Sequence, residues 1–318
     1  MNVMRPPKLA LIAGPTASGK SALAMALAKS LIAADRQALI VNADASQVYA
    51  DIPILSAAPS AAERAEVPHA LVGHVDAGVN VNAAMWAAQA RDAIMTALAE
   101  GVVPILVGGT GMYIKTLIDG IAPVPAIDPD VRAMVRALPP AEAHVRLVPL
   151  DPAAAAKLPP GDRTRVQRAL EVVLSSGRTL GEWQRETTGG LREAVTLVPM
   201  LLLPPRDWLK ARCDRRLDVM MAAGALAEVR ALLARGLNPD LPAMRAIGVP
   251  ELAAHLSGEW SLDQAVERAK IATRQYAKRQ YTWLRGQLPE DWPREERALN
   301  DENINEIAIK LRQRLLTD

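Results

Sequence analysis

Gly14-Pro15-Thr16-Ala17-Ser18-Gly19-Lys20-Ser21 decides how this 318-residue chain is read, because of what flanks it. Leu9 to Ala13 is a short unbroken apolar run, and Lys20 to Ile32 is rich in Ala, Leu and Met at helical spacing. The octapeptide fits G-x-x-x-x-G-K-[ST] where a strand turns into a helix, the context that gives the pattern meaning. Backbone N–H groups of such a loop point at phosphate oxygens, Lys20 adds a point charge, and the Ser21 hydroxyl is a ligand for Mg²⁺. Gly14, Pro15, Thr16, Ala17, Ser18, Gly19, Lys20 and Ser21 are therefore assigned to a loop that holds a di- or triphosphate.

Outward from the loop, Ala38 to Val41 is a second apolar strand, and Asn42-Ala43-Asp44-Ala45-Ser46-Gln47-Val48-Tyr49 follows it. A carboxylate at the carboxyl edge of a parallel sheet faces the ligand crevice. Asp44 is thus a candidate Mg²⁺ ligand or proton acceptor, with a helix cap as the structural alternative. Ala83 to Leu98 has helical spacing, and Val102 to Val107 is a buried strand that ends in Gly108-Gly109-Thr110-Gly111. Hydrolysing P-loop enzymes often carry an Asp there. Glycines instead let a ligand approach the backbone, and Thr110 is placed to donate to a leaving-group oxygen.

Strands that alternate with helices and are apolar on both faces predict an α/β fold with a parallel sheet. Pro-rich connections from about Ile121 predict a mainly helical insertion over 120–195, and Val195 to Leu203 returns to the sheet. The expected domains are a P-loop core, 1–119 plus 196–318, with C-terminal helices at Trp208 to Arg235 and Ser261 to Arg285, and the insertion 120–195.

Composition narrows the classes. Half the residues are hydrophobic and 23% are charged, which excludes wholesale disorder, and 37 Lys plus Arg against 35 Asp plus Glu leave a net charge of only +2. A single cysteine, Cys213, excludes an intrachain disulfide and a thiolate metal cage. His69, His74, His144 and His255 lack metal-ligand spacing. The apolar run before Gly14 is too short for a signal-peptide core or membrane span, so a cytoplasmic protein without a membrane partner is expected.

Two basic segments stand out against the neutral whole. Arg163-Thr164-Arg165-Val166-Gln167-Arg168 opens a helix that runs to Leu174. Arg268 to Arg285 carries Arg268, Lys270, Arg274, Lys278, Arg279 and Arg285 without an acid, interleaved with Tyr276, Tyr281 and Trp283. Such segments suit an RNA backbone and unstacked bases, and equally a solvated helix face over core aromatics.

Taken in order, GPTASGKS at 14–21, DASQVY at 44–49, PH at 68–69, PILVGGTGMYI at 104–114, RALEV at 168–172, AIG at 246–248 and YAKRQYTWLR at 276–285 closely resemble the tRNA dimethylallyltransferase (tRNA isopentenyltransferase) family. The resemblance spans nearly the whole chain. It implies transfer of a dimethylallyl group from dimethylallyl diphosphate to N6 of adenine 37 in tRNA, with Mg²⁺ as cofactor, the anticodon stem-loop as partner and a monomeric enzyme. It further implies that the loop at 14–21 holds the prenyl diphosphate, that Asp44 is the general base, that Thr110 contacts the leaving group and that Arg132 contacts substrate.

The tRNA contacts implied by the same resemblance are Asp44, Ala45, Ser46, Gln47, Thr110 and Arg132, then Thr164, Arg165, Val166, Gln167 and Arg168. To these it adds Arg245, Ala246, Ile247, Gly248, Val249 and Pro250, and finally Lys278, Arg279, Gln280, Tyr281, Thr282, Trp283, Leu284 and Arg285. The chain departs from the family pattern at Ala45, at Ala58, where a lysine is usual, at Thr164, and at Val249-Pro250. Two rivals start from the same motifs: a P-loop small-molecule kinase gives no reason for Gly-Gly-Thr-Gly, and a non-catalytic nucleotide-gated RNA binder gives none for Asp44 and Thr110.

Overall fold

The computed structural model describes residues 6–317, and its order begins β1 (Lys8–Ala13), α1 (Lys20–Ile32), β2 (Ala38–Ala43), α2 (Ala61–Glu66), β3 (His69–Ala70), α3 (Ala83–Ala99), β4 (Val103–Gly108) and α4 (Gly111–Asp119). Five short helices follow: α5 (Pro129–Ala137), α6 (Pro140–Leu147), α7 (Pro152–Lys157), α8 (Arg163–Ser176) and α9 (Leu180–Trp183). The chain then forms β5 (Thr196–Leu202), α10 (Arg206–Ala222), α11 (Ala225–Ala234), α12 (Val249–Leu256), α13 (Leu262–Gln287), β6 (Arg294–Glu295) and α14 (Asp301–Leu316). No helix among the described residues is long and apolar enough to cross a membrane.

Two compact units result, one made of the chain up to Leu117 and again from Leu191, the other of Ile118–Gly190. The first holds a six-stranded sheet in the order β3-β2-β4-β1-β5-β6, with every pairing parallel. Its strands are apolar on both faces because helices cover both. Ala10 and Ile12 of β1 point to the face covered by α1 and α14, where Leu23, Leu27, Ile307 and Leu311 pack. Leu9 and Leu11, one residue out of phase, point to the other face, where α3 lies over β2 and β4.

That arrangement puts β1 in the centre, between β4 and β5, so the P-loop leaves the middle of the sheet's carboxyl edge. The ends of β2 and β4 stand beside it, with Ala43 paired to Gly108 and Gly108 to Ala13. The expected long helix from Trp208 to Arg235 is two helices, because Gly224 takes a left-handed φ of 104° between α10 and α11.

Trp86 of α3 is fully buried, stacks on Tyr113 with ring centroids 4.4 Å apart, and donates its indole N–H to the Asn42 carbonyl at 3.0 Å. It therefore braces the residue whose side chain shapes the Asp44 turn. Trp86→Phe removes the donor and leaves a void, and is expected to cost about 1–3 kcal/mol in a urea melt with an unchanged m-value.

The second unit has its own small core, in which Val135 of α5, Ala143 and Leu147 of α6 and Val166 and Leu170 of α8 meet. Its helices α5 and α7 start on aspartate caps: Asp128 accepts from Asp130 N–H at 2.8 Å for α5, and Asp151 from Ala154 N–H at 2.9 Å for α7. Arg136 pairs with the buried Glu171 at 3.1 Å.

Candidate active site

Within the first unit the P-loop is anchored to β4 by Gly14 N–H on the Gly108 carbonyl and turns on itself through Ser18 N–H on the Pro15 carbonyl, each at 3.2 Å. Lys20 opens α1 with its ammonium at 3.3 Å from the Pro15 carbonyl oxygen, and only 7% of the residue is exposed. Burial lowers its pKa to about 8, against the opposing pull of Asp44; Arg216 lowers it further. Such a lysine is held ready for an anion.

Asp44 sits at the end of β2 in a turn set by Asn42. The Asn42 side chain accepts from Asp44 N–H at 2.9 Å and donates to the Asp44 carbonyl at 3.0 Å, while Asp44 Oδ1 accepts from Ser46 N–H at 3.0 Å. One carboxylate oxygen is therefore committed to the turn, and the group faces the charges of Lys20 and Arg216. No helix starts here, so the helix-cap alternative does not apply: Asp44 caps a turn, and it also lines two cavities, one with Lys20 and Ser21 and one with Thr16 and Arg216.

Thr110 follows β4, and its hydroxyl accepts from Ala45 N–H at 3.0 Å. That bond leaves the hydroxyl proton for another acceptor. The ends of β2 and β4 are thus tied together, with Asp44 and Thr110 on adjoining loops. Tyr276 of α13 lies beside Thr110 and Gln280, and burial raises its pKa to about 12.

Arginines of α10 complete the crevice and were not recognised from sequence. Arg216 is partly buried, reaches the Thr16 hydroxyl and the Ser56 carbonyl, each at 3.4 Å, and has its pKa lowered by desolvation. Arg212 donates to the Ala17 carbonyl at 3.0 Å and stacks on Trp208. With Arg215 they border a cavity of about 400 Å³ over Gly19, Lys20 and Ser21. The signal was present in the sequence: Arg212, Arg215 and Arg216 recur at helical spacing on one face.

Arg245, Ala246, Ile247 and Arg279 line the cavity of about 300 Å³ that also holds Asp44, Ala45, Ser46 and Arg216. Gln47 donates to the Ser56 and Ala57 carbonyls at 3.1 and 2.9 Å, fixing the segment where Ala58 replaces the family's lysine. In the second unit, Arg132, Thr164 and Arg165 are exposed, and Arg168 is partly buried within the electrostatic reach of Arg132.

Several residues expected on an RNA-facing surface are buried instead: Val166 and Gln167, Gly248 and Val249, Gln280 and Leu284. The reason is helical geometry, since a contiguous stretch of amphipathic helix must turn part of its circumference inward. Gln167 donates to the Val135 carbonyl at 3.3 Å, and Leu284 is fully buried. Tyr281 donates to the Leu203 carbonyl at 3.3 Å beneath Arg206, and the Trp283 ring lies directly against Gly111. These aromatics pack the fold and are not free to stack bases. Lys278, Arg279, Thr282 and Arg285 stay exposed, as does Pro250.

For Mg²⁺, the cavity beside Lys20 offers hard oxygen donors from Ser21, Asn42 and Asp44. No cluster of three or more His, Cys, Asp or Glu side chains able to hold a metal occurs among the described residues. The oxygen donors of that cavity suit a hard divalent cation that keeps part of its shell for phosphate and water.

Fold and crevice together define a P-loop α/β protein whose crevice brings Lys20 and the α10 arginines together with a carboxylate, Asp44, and a threonine, Thr110. Residues 47–287 match the family model described as IPP transferase. A protein of Sphingopyxis alaskensis called tRNA dimethylallyltransferase is 60% identical over 309 residues, which cover 97% of this chain and 100% of that one. Among solved structures, the tRNA isopentenylpyrophosphate transferase of Bacillus halodurans matches with a TM-score of 0.70 at 32% identity, covering 97% of this chain and 96% of its own. A eukaryotic dimethylallyltransferase captured acting on tRNA matches with a TM-score of 0.75 at 30% identity, over 87% of this chain and 70% of its own. The chain belongs to the IPP transferase family.

Proposed function

We propose that the protein transfers the dimethylallyl group of dimethylallyl diphosphate to N6 of adenine 37 in tRNA, releasing diphosphate. The observation that carries this is the convergence of Asp44 and Thr110, tied through Ala45, with Lys20 and Arg216 at one crevice. The N6 amine forms a bond to the allylic carbon as the carbon–oxygen bond breaks. The electron pair leaves with diphosphate, and the amine proton goes to Asp44. An exocyclic aryl amine is a weak nucleophile, so a positioned base helps it. Departure is limited by charge, so Lys20, Arg216 and the Thr110 hydroxyl act on the leaving group. Ser21 is the residue that would hold Mg²⁺, which when bound would supply further neutralisation of the diphosphate.

The second unit, through Arg132, Thr164, Arg165 and Arg168, and α13, through Lys278, Arg279, Thr282 and Arg285, supply RNA contacts to an anticodon stem-loop whose target base has left its stack. We infer a cytoplasmic monomer, as the family resemblance implies. Incubation with dimethylallyl diphosphate, Mg²⁺ and unmodified tRNA, then digestion to nucleosides, is expected to yield N6-dimethylallyladenosine. ADP formed from ATP with a small-molecule acceptor, and no prenylated nucleoside, would favour a kinase.

Lys278 and Arg279 are adjacent in sequence but serve different surfaces: Arg279 lines the Asp44 cavity, and Lys278 lines a separate groove with Arg206 and Lys210. Lys278→Ala alone is therefore expected to flatten the salt dependence of tRNA binding by about 0.7–0.9 in log–log slope, leaving dimethylallyl diphosphate affinity unchanged. Filter binding across a salt series checks this.

Lys20 gives the diphosphate site a pH dependence with a definite sign. Its charge is lost as pH rises through about 8, so dimethylallyl diphosphate affinity is expected to hold level up to there and then weaken. The limit above it is roughly tenfold per pH unit, read by titration calorimetry. For the free protein the sign is opposite: the unfolded chain keeps this proton up to the ordinary 10.5, so the Lys20 contribution to stability rises with pH between about 8 and 10.5.

A further inference from the structure

One face of α13 meets three consecutive residues of the loop after β4. The Trp283 ring lies on Gly111, Tyr276 lies beside Thr110, and the Gln280 amide donates to the Gly109 carbonyl at 2.9 Å. The same amide's oxygen accepts from Thr16 N–H, in the P-loop, at 2.8 Å. Gln280 is only 5% exposed, and a Cβ added to Gly109 would sit 2.5 Å from its amide nitrogen, so loop and amide are fitted to each other. A buried side chain that satisfies a donor on one ligand loop and an acceptor on the other sets the spacing between them.

We propose that Gln280 is a positioning residue for the transfer: its amide locks the diphosphate-binding P-loop to the loop that carries Thr110, fixing the leaving-group hydroxyl relative to the bound diphosphate. This rests on the prenyl-transfer reading above. Gln280 touches no reacting atom in that arrangement. It acts through Thr16 and Gly109, and it is rooted in the helix that presents Lys278 and Arg279 to solvent.

The chemistry of the amide provides the test. A glutamate at 280 keeps the acceptor for Thr16 N–H but, when ionised, turns a second acceptor against the Gly109 carbonyl. When protonated it donates there and restores the pair. Facing a carbonyl out of water, that carboxyl titrates above the ordinary carboxylate range. Full-length wild type, Gln280→Glu and Gln280→Met are compared in single turnover with saturating dimethylallyl diphosphate, Mg²⁺ and an anticodon stem-loop RNA between pH 5.5 and 8.5. Each rate is divided by that of wild type at the same pH, which removes the pH dependence the two enzymes share; Lys20, Asp44, Arg216, Arg279 and Tyr276 are the charged and titratable groups that face the site, and Gln280→Met reports any change that needs no carboxyl at 280.

The expected result is a loss of roughly 10- to 100-fold for Gln280→Glu at high pH that recovers as pH falls. Gln280→Met is expected to show a comparable loss at every pH, and RNA affinity by filter binding to stay within about twofold for both. Wild-type rates in both variants, or a Gln280→Glu loss that does not recover as pH falls, would overturn the inference. If wild type transfers no prenyl group, the functional reading fails separately. The lock is then judged by inorganic pyrophosphate binding, which it requires to be weaker in Gln280→Glu and to recover toward wild type at low pH; equal binding overturns it.

Discussion

Asp44→Asn is expected to lower single-turnover prenyl transfer by about 10²- to 10⁴-fold while tRNA and dimethylallyl diphosphate affinities change far less. Asparagine keeps the oxygen that accepts from Ser46 N–H, so the turn held by Asn42 survives, and only the proton acceptor is lost. A large fall in kcat with KM nearly unchanged is the signature of an interaction made in the transition state. Unaltered turnover would reduce Asp44 to the cap of its own turn. The variant also removes a negative charge that faces Lys20 and Arg216, and Lys20 is then expected to lose its proton at lower pH than in wild type. The upper limb of the diphosphate-binding profile would shift downward accordingly.

Thr110→Ala is expected to slow the chemical step by roughly 10- to 1,000-fold. Two losses add here. The leaving group loses a hydroxyl donor, and Ala45 N–H loses the acceptor that ties the end of β2 to the loop after β4. Thr110→Ser separates the terms, since it keeps the oxygen for Ala45 and the proton for diphosphate. It is expected to recover most of the rate, whereas a purely packing role for the methyl group would leave Ser as slow as Ala. A wild-type single-turnover rate in Thr110→Ala would remove the leaving-group role.

Arg216 and Gln280 show where local reading stops. Both are far from the P-loop in sequence, and each reaches it only because α10 and α13 pack against the loop. The three α10 arginines carried a periodic signal, but nothing in their spacing says which partner the face meets. Gln280 carried no such signal. It lies inside a basic, aromatic stretch whose exposed residues, Lys278, Arg279, Thr282 and Arg285, suit an RNA surface, while Tyr276, Gln280 and Trp283 turn toward the Gly109 to Gly111 loop. Composition cannot divide a helix into faces; packing does.

The sequence by itself determined the parallel α/β class, the P-loop, and the placement of Asp44 and Thr110 at strand ends, because each of these depends on residues within a few positions of one another. A strand, a glycine-rich turn and a helix start are local objects, and the carboxyl edge of a parallel sheet is where they expose ligands. Only the tertiary structure decided that Ala45 and Thr110 join two strand ends, that Arg216 shares the crevice with Lys20, and that a buried glutamine bridges two loops. Those contacts arise from long-range packing, where the side chain that is buried depends on the neighbour the fold brings to it.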